Sequence, residues 1–270
     1  MYSTLATLID HLDGRNTDQE SVITWGAPVP AFGDPSKSRV ATLGINPSNR
    51  EFVDESGTEL VGDARRFHTL SSLSLSSWGD VDSRHLLLIV SSCREYFRRN
   101  PYDQWFKRLD QVVVGTGASF YDEMSSACHL DLIPYATSQK WTDLSPSQRA
   151  GLLKANTAAL GSLLRDSSVE VLILNGRAVV DHLQRAAAVT LRTEERPMWR
   201  LRRKGSQGVA GISYEGWISR IGNVDLGRKI FVAGFNHNLQ SSYGVTAEVV
   251  REIRHWISEI TYRAPNETAR

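Results

Sequence analysis

Four short apolar runs, separated by segments with helical spacing, restrict this chain to a small set of folds. A run of four to eight apolar residues bounded by turn residues is typical of a buried strand, whereas apolar residues three and four apart indicate a helix. The predicted strands are residues 40–45, 127–134, 169–174 and 229–235. Strands that alternate with helices indicate a parallel sheet covered on both faces. We therefore predict an α/β fold of three αβα layers around a central, mainly parallel four-stranded sheet.

The boundaries of two segments can also be read from the sequence. Ser145-Pro146-Ser147-Gln148 is a capping box with proline at the first helical position, where the missing N–H costs no hydrogen bond. Residues 190–227 interrupt the alternation because they are rich in glycine, arginine and aromatic residues, and we predict an inserted hairpin or long loop there. The 270 residues are expected to form a single domain, 1–270.

Composition excludes several classes of protein. Lys and Arg number 31 against 30 Asp and Glu, a net charge of +1, so any surface that binds nucleic acid must be a local patch. The two cysteines, Cys93 and Cys128, form no metal-binding or disulfide pattern. The longest apolar stretch, residues 86–90, is far too short to span a membrane. We expect a soluble, cytoplasmic protein with no metal or other cofactor, no membrane contact and no obligate protein partner.

Three polar residues lie at the ends of predicted strands. Asn46 follows the first strand, Asp131 lies within the second, and His237 follows the fourth. Each has a structural interpretation: Asn46 in a turn, Asp131 as a cap, His237 as a histidine satisfied in the core. Ligands of open parallel sheets bind beyond the carboxyl ends of the strands, however, and all three residues are predicted at that edge. Their common position favours a functional site.

The segments around these residues resemble motifs of the uracil-DNA glycosylase superfamily. Gly44-Ile45-Asn46-Pro47-Ser48, preceded by the proline-rich residues 28–35, is similar to the first motif of the family, G-x-N-P-G or G-x-D-P-Y. His237-Asn238-Leu239-Gln240-Ser241 shares the histidine and the position of the second motif, H-P-S-P, but not its prolines. Asp131-Leu132-Ile133-Pro134 occupies the place of an N-L-x-P segment. The resemblance covers about residues 28–260. Two cysteines cannot supply the four-cysteine iron–sulfur cluster that some members hold.

This resemblance implies a monofunctional DNA N-glycosylase, a hydrolase that flips a base out of DNA and leaves an abasic site. Asn46 would hold the attacking water, and His237 would donate a hydrogen bond to O2 of the departing base. Phe67 is the candidate for stacking on the base, with Phe52 as the alternative, although either ring could belong to the core.

Other residues are candidates for contact with the DNA strand. Leu239 or Gln240 would fill the gap that the flipped base leaves. Phosphate contacts are expected from Ser48, Ser241 and Ser242. Residues 196–204 include five cationic side chains. Of these, we expect Arg200, Arg202 and Arg203 to lie along the DNA backbone. A solvated hairpin with alternating faces is the alternative for this cluster.

Asp131 departs from the family pattern, because members that remove uracil carry asparagine there. A carboxylate has no donor for O4 of uracil but can accept from the N4 amino group of cytosine. Unmodified cytosine is a normal base of cellular DNA, so the implied target is a modified cytosine, such as the glucosylated hydroxymethylcytosine of phage genomes, and the implied role is anti-phage defence.

Three alternatives remain open at the level of sequence. The chain could be a repair glycosylase for uracil or another deaminated base, or a catalytically inactive relative that only binds DNA. An unrelated nucleotide hydrolase is disfavoured, because the sequence has no Walker loop, no nucleophile elbow and no H-E-x-x-H motif.

Overall fold

The computed structural model describes residues 1–14, 21–99, 103–124, 126–205 and 207–267. A six-stranded mixed sheet runs through its centre, in the order β2-β1-β3-β6-β5-β4. The strands are β1 (Val40–Gly44), β2 (Ala127–Asp131), β3 (Val171–Asn175), β4 (Arg192–Leu201), β5 (Val209–Ile221) and β6 (Val224–Phe235). The four strands expected from the sequence are β1, β2, β3 and β6, and neighbours among them pair in parallel.

The prediction of a four-stranded sheet was wrong, because residues 190–227 contribute to the sheet. They form the antiparallel hairpin β4–β5, and β5 in turn pairs antiparallel with β6, which begins at Val224. Ser206 lies outside the described residues. Ile218 and Ile221 of β5 are buried, so the hairpin adds to the core and covers what would otherwise be the open edge of β6.

Helices cover both faces of the sheet. The described residues form eight α-helices: α1 (Tyr2–Asp13), α2 (Leu70–Leu73), α3 (Ser83–Arg94), α4 (Tyr96–Arg99), α5 (Asp103–Val113), α6 (Pro146–Arg165), α7 (Arg177–Ala187) and α8 (Ala247–Glu267). The capping box predicted at Ser145 is present, with its hydroxyl accepting from the backbone N–H of Gln148. No helix in these ranges is long and apolar enough to cross a membrane.

Two hydrophobic cores, one on each face, follow from the alternation of side chains along the strands. Ala41 and Leu43 of β1 pack in the core that contains α1, α6 and α7. Val40 points the other way, into the core formed with α5 and α8. On this second face the apolar pattern breaks near the carboxyl ends of the strands, where Thr42 and His129 are buried polar residues. The candidate functional site lies at this interruption of the apolar pattern.

Candidate functional site

A cleft of about 300 Å³ opens at the carboxyl ends of β1, β2 and β3. This is the edge at which open parallel sheets bind ligands, and the volume lies at the lower end of the roughly 300–1,000 Å³ usual for small-molecule sites. The cleft is lined by Phe32, Gly44, Ile45, Asn46, Pro47, Ser48, Glu51, Trp105, Phe106, His129, Asp131, Asn175, Val179 and Asn238. Of the residues proposed from the sequence, Asn46, Ser48 and Asp131 meet in it.

Asn46 lines the cleft, and its side-chain amide is held through its nitrogen. Its Nδ2 donates to the carbonyl oxygen of Pro47 at 3.0 Å and to Oγ1 of Thr137 at 3.1 Å. The hydroxyl group of Thr137 donates to the carbonyl oxygen of Gln139. Its Oγ1 therefore accepts from Asn46 and fixes the orientation of the amide. Within the described residues no donor reaches Oδ1 of Asn46. This oxygen is available to a water or a ligand.

Asp131 and His129 form a buried polar pair on the same face of β2. The parallel register sets Thr42 opposite His129 and Gly44 opposite Asp131. Nδ1 of His129 lies 2.7 Å from Oγ1 of Thr42, and its Nε2 lies 3.4 Å from Oδ1 of Asp131. Only 6% of Asp131 is exposed, yet no backbone N–H in the described part of the chain donates to its carboxyl group. The interpretation of Asp131 as a backbone cap is therefore not supported.

Gly44 is required by the close approach of this pair. A Cβ at position 44 would lie 2.4 Å from Oδ1 of Asp131 and 2.9 Å from Nε2 of His129. Any side chain there would force the carboxylate or the imidazole to move. Glycine at position 44 thus leaves the space that the side chains of Asp131 and His129 occupy.

Glu51, which the sequence analysis did not single out, places a second buried carboxyl group in the cleft. The hydroxyl of Tyr96 donates to its two oxygens at 3.2 and 3.1 Å, and Nη1 of Arg66 lies 3.8 Å from Oε2. Burial raises the pKa of Glu51 to about 7; Arg66 and Tyr96 oppose the rise, and the charge of Asp131 adds to it. A carboxyl group with a pKa near neutrality can exchange protons at physiological pH.

The aromatic rings that face the cleft are not those proposed from the sequence. Phe32, Trp105 and Phe106 line it, and each ring meets the imidazole of His129 with centroids 5.2–5.4 Å apart. Phe52 and Phe67 are each 1% exposed and lie in the core behind the cleft. Phe67 stacks on the ring of Tyr96, with which it is nearly parallel, rather than on a ligand. The core alternative therefore describes both phenylalanines.

His237 does not line the cleft. Its Nε2 lies 2.8 Å from the carbonyl oxygen of Trp199 in β4, an atom that can only accept, so Nε2 carries the proton. Burial lowers the pKa of His237, which keeps the ring neutral at neutral pH with one N–H. Since that N–H is bonded to Trp199, this conformation leaves no donor for O2 of a base. His237 instead ties the irregular part of β4 to the end of β6.

The turn after His237 is held by side chains rather than left free to enter DNA. Leu239 is completely buried, and its backbone N–H donates to Oδ1 of Asn175. Gln240 bridges Nδ2 of Asn175 and the carbonyl oxygen of Trp105. Neither residue projects as a wedge in this conformation. Oδ1 of Asn238 accepts from the backbone N–H groups of residues 240 and 241.

The remaining candidates for DNA contact lie on the surface. Ser48 and Ser241 are exposed, whereas Ser242 is half-buried and its hydroxyl accepts from the backbone N–H of Asn238. Arg200, Arg202 and Arg203 are exposed on the hairpin, and Arg200 pairs with Glu195 at 2.6 Å. The basic end of the hairpin lies close to the segment that follows Ser242. A Cβ placed on Gly244 of that segment would be 3.6 Å from the carbonyl oxygen of Arg202.

A larger groove of about 550 Å³ lies between the hairpin and α8. Two of its three arginines are paired with glutamates: Arg196 with Glu194 at 2.9 Å, and Arg192 with Glu215 at 3.2 Å. These charges are mutually compensated, and the groove contains none of the strand-end residues. The smaller cleft is therefore the stronger candidate site.

The space at Gly44 can be tested by Gly44→Ala. We expect the free energy of unfolding to fall by about 1–3 kcal/mol, the usual cost of overpacking, because the new methyl group overlaps Asp131 and His129. Urea denaturation measures the change. Combining Gly44→Ala with Asp131→Ala is expected to recover part of the loss, and strictly additive effects would show that the two positions do not conflict.

The bond from His237 predicts that His237→Phe is destabilising although it conserves size. The carbonyl group of Trp199 would lose its buried partner, at a cost of about 1–3 kcal/mol in the free energy of unfolding. His255→Phe on the exposed surface of α8 is the control and is expected to change stability by less than about 0.5 kcal/mol. Equal denaturation midpoints for the two variants would contradict this role of His237.

The cleft thus unites a strand-end amide, two buried carboxyl groups, an imidazole and three aromatic rings. Among the described residues, no group of three or more His, Cys, Asp and Glu side chains is arranged to hold a metal ion. In comparisons with known proteins, no protein-family model and no curated protein sequence matches this chain.

Proposed function

We propose that this protein is a DNA glycosylase that takes a flipped, cytosine-type base into the cleft and hydrolyses its glycosidic bond. The observation that carries the proposal is Asp131, a nearly buried carboxyl group without a backbone donor that opens into a cleft beside Asn46. A carboxyl group this buried is costly to the fold, and within the described residues its one partner is Nε2 of His129, 3.4 Å from Oδ1, so a ligand that supplies a second donor would offset part of that cost. The exocyclic amino group of cytosine is such a donor.

The cleft suits one base. Its volume of about 300 Å³ is small, and its walls combine apolar rings with a few polar atoms, as in many sites for planar ligands. Trp105 is half-buried and offers a ring on which an extruded base could stack, with Phe32 and Phe106 beside it. In this proposal Trp105, rather than Phe67, stacks on the flipped base.

Hydrolysis needs a water aligned with C1′ of the sugar. In the proposed reaction Oδ1 of Asn46 accepts a hydrogen bond from this water, while Thr137 holds the amide in place. The C1′–N1 bond breaks as the water oxygen bonds to C1′, so positive charge develops on the sugar and negative charge on the base. His237 contributes indirectly, because it anchors the hairpin beside the second motif.

DNA would approach across the exposed residues at the mouth of the cleft and on the hairpin. Ser48 is exposed at the cleft itself, and Ser241 is exposed in the turn that Asn238 organises. Arg202 and Arg203 extend this surface along the hairpin. A local cationic surface of this kind is what a chain with a net charge of +1 needs in order to bind phosphates. The proposed biological role is removal of modified cytosine from phage DNA.

Substitution of Asn46 tests the hydrolytic step. We expect Asn46→Ala to lower single-turnover excision by about 100-fold, the scale for losing one positioned catalytic group, while Asn49→Ala, on the same segment outside the cleft lining, serves as the control. The assay counts alkali-labile abasic sites in DNAs that contain uracil, cytosine, hydroxymethylcytosine or glucosylated hydroxymethylcytosine. Equal rates for wild type and Asn46→Ala would exclude the proposed role of Asn46.

Substitution of Asp131 tests base selection. Asp131→Asn offers an amide donor as well as an acceptor. We expect excision of the cytosine-type base to fall by about 10- to 100-fold, because a charge-assisted hydrogen bond of ~1.5–3 kcal/mol is lost. We also expect some activity on uracil to appear. Asp110→Asn is the matched control, because Asp110 is a partly buried carboxylate that accepts from Ser119 and the backbone of Phe120. A wild type that prefers uracil would favour a repair glycosylase instead.

A further inference from the structure

We infer that Glu51 is the acid that protonates ring N3 of the departing base while Asp131 accepts from its N4 amino group. This inference rests on the proposed function and assigns the proton that the function requires. It also explains why the cleft contains two carboxyl groups where one would suffice to recognise an amino group.

Local structure fixes Glu51 at the cleft. A turn of 3-10 helix, Asn49–Glu51, begins directly after the first motif, with the hydroxyl of Ser48 accepting from the backbone N–H of Arg50. The motif that orients the water therefore also carries Glu51 to the wall of the same cleft, where only 2% of the residue is exposed.

The groups that face Glu51 come from three other segments. Tyr96 of α4 donates to both of its oxygens, Arg66 of the loop before α2 lies 3.8 Å away, and Asp131 of β2 raises its pKa, with His129 beyond Asp131. Two buried carboxyl groups that line one cleft resist simultaneous ionisation. Since Tyr96 uses its hydroxyl to donate, the proton of a neutral Glu51 is free to point into the cleft.

One carboxylate and one carboxylic acid match the edge of cytosine. Cytosine presents the N4 amino donor beside the N3 acceptor, so Asp131 can accept and Glu51 can donate. Uracil presents an O4 acceptor beside an N3–H donor, which sets an acceptor against Asp131 and a donor against the proton of Glu51. The pair thus rejects uracil at both positions, which is a stronger discrimination than either residue gives alone.

The reaction then balances without a further reactant. As the C1′–N1 bond breaks, its electron pair passes into the base ring, and the proton of Glu51 moves to N3, so the base leaves as a neutral tautomer. The water oxygen bonds to C1′, and the proton that the water releases restores the acid form of Glu51. The products are an abasic sugar and a free base, the elements of water having been added across one bond.

The test is the pH dependence of single-turnover excision on the DNA that wild type cleaves best. Wild-type rates are expected to fall about tenfold per pH unit above the pKa of Glu51, which burial raises to about 7. Glu51→Gln is expected to be at least ~100-fold slower at pH 6 and to have a flat profile, whereas Glu51→Asp retains the acid and the alkaline fall. Glu55→Gln, an exposed carboxylate on the same loop, is the control with the wild-type profile.

A second readout does not depend on activity. A raised pKa means that the folded protein binds the proton of Glu51 more tightly than the unfolded chain does, so its contribution to stability is greatest below about pH 4.5 and is lost as the pH rises to about 7. The stability difference between wild type and Glu51→Gln is therefore expected to change over this range. A difference that is independent of pH would overturn the inference.

The outcomes separate the inference from the function on which it rests. If wild type excises a base and Glu51→Gln keeps both the rate and the alkaline fall, Glu51 is not the acid, while the glycosylase proposal stands. If wild type excises no base from any DNA of the panel, the proposed function fails and the inference fails with it.

Discussion

The parallel pairing of β1 with β2 is the constraint on which the candidate site depends. This register sets Thr42 beside His129 and Gly44 beside Asp131 on a face that is otherwise apolar. A shift by one residue would turn these side chains into the opposite core, where Leu43 and Leu130 now lie. The hydrophobic alternation of the two strands therefore holds the polar residues at the cleft, and the stability of the core and the geometry of the site are fixed by the same pairing.

Around this pair, burial gives ordinary side chains unusual properties. Three aromatic rings surround His129, and burial raises the pKa of Glu51 toward neutrality. Carboxyl groups in an apolar setting are unfavourable for folding unless they are partnered. Tyr96 and Arg66 partner Glu51, whereas the one partner of Asp131 among the described residues is the imidazole of His129 at 3.4 Å. Asp131 is thus the less compensated of the two buried carboxyl groups that line the cleft.

The hairpin β4–β5 determines what His237 and the residues after it contact. Because the hairpin joins the sheet beside β6, the carbonyl oxygen of Trp199 comes within hydrogen-bonding distance of His237 and accepts a hydrogen bond from its one N–H. The residues that follow also make internal contacts. Leu239 is buried, and Gln240 forms hydrogen bonds with Asn175 of β3 and with the backbone carbonyl group of Trp105 in α5. Residues 237–240 thus hold the hairpin, the turn and α5 together.

The sequence by itself determined the four parallel strands, the capped start of α6 and the strand-end positions of Asn46 and Asp131, because these follow from local periodicity and from the direction of parallel strands. Only the tertiary structure decided the rest. Glu51 becomes a buried group through contacts with Tyr96 and Arg66, which are 45 and 15 residues away in the chain, and no local pattern encodes them. Whether Phe67 faces a ligand or the core, and whether His237 faces a base or a carbonyl group, depends on long-range packing of loops and of the hairpin. Local sequence specifies where an element begins and which side of it is apolar, but the partner that each polar atom meets is set by segments distant in sequence.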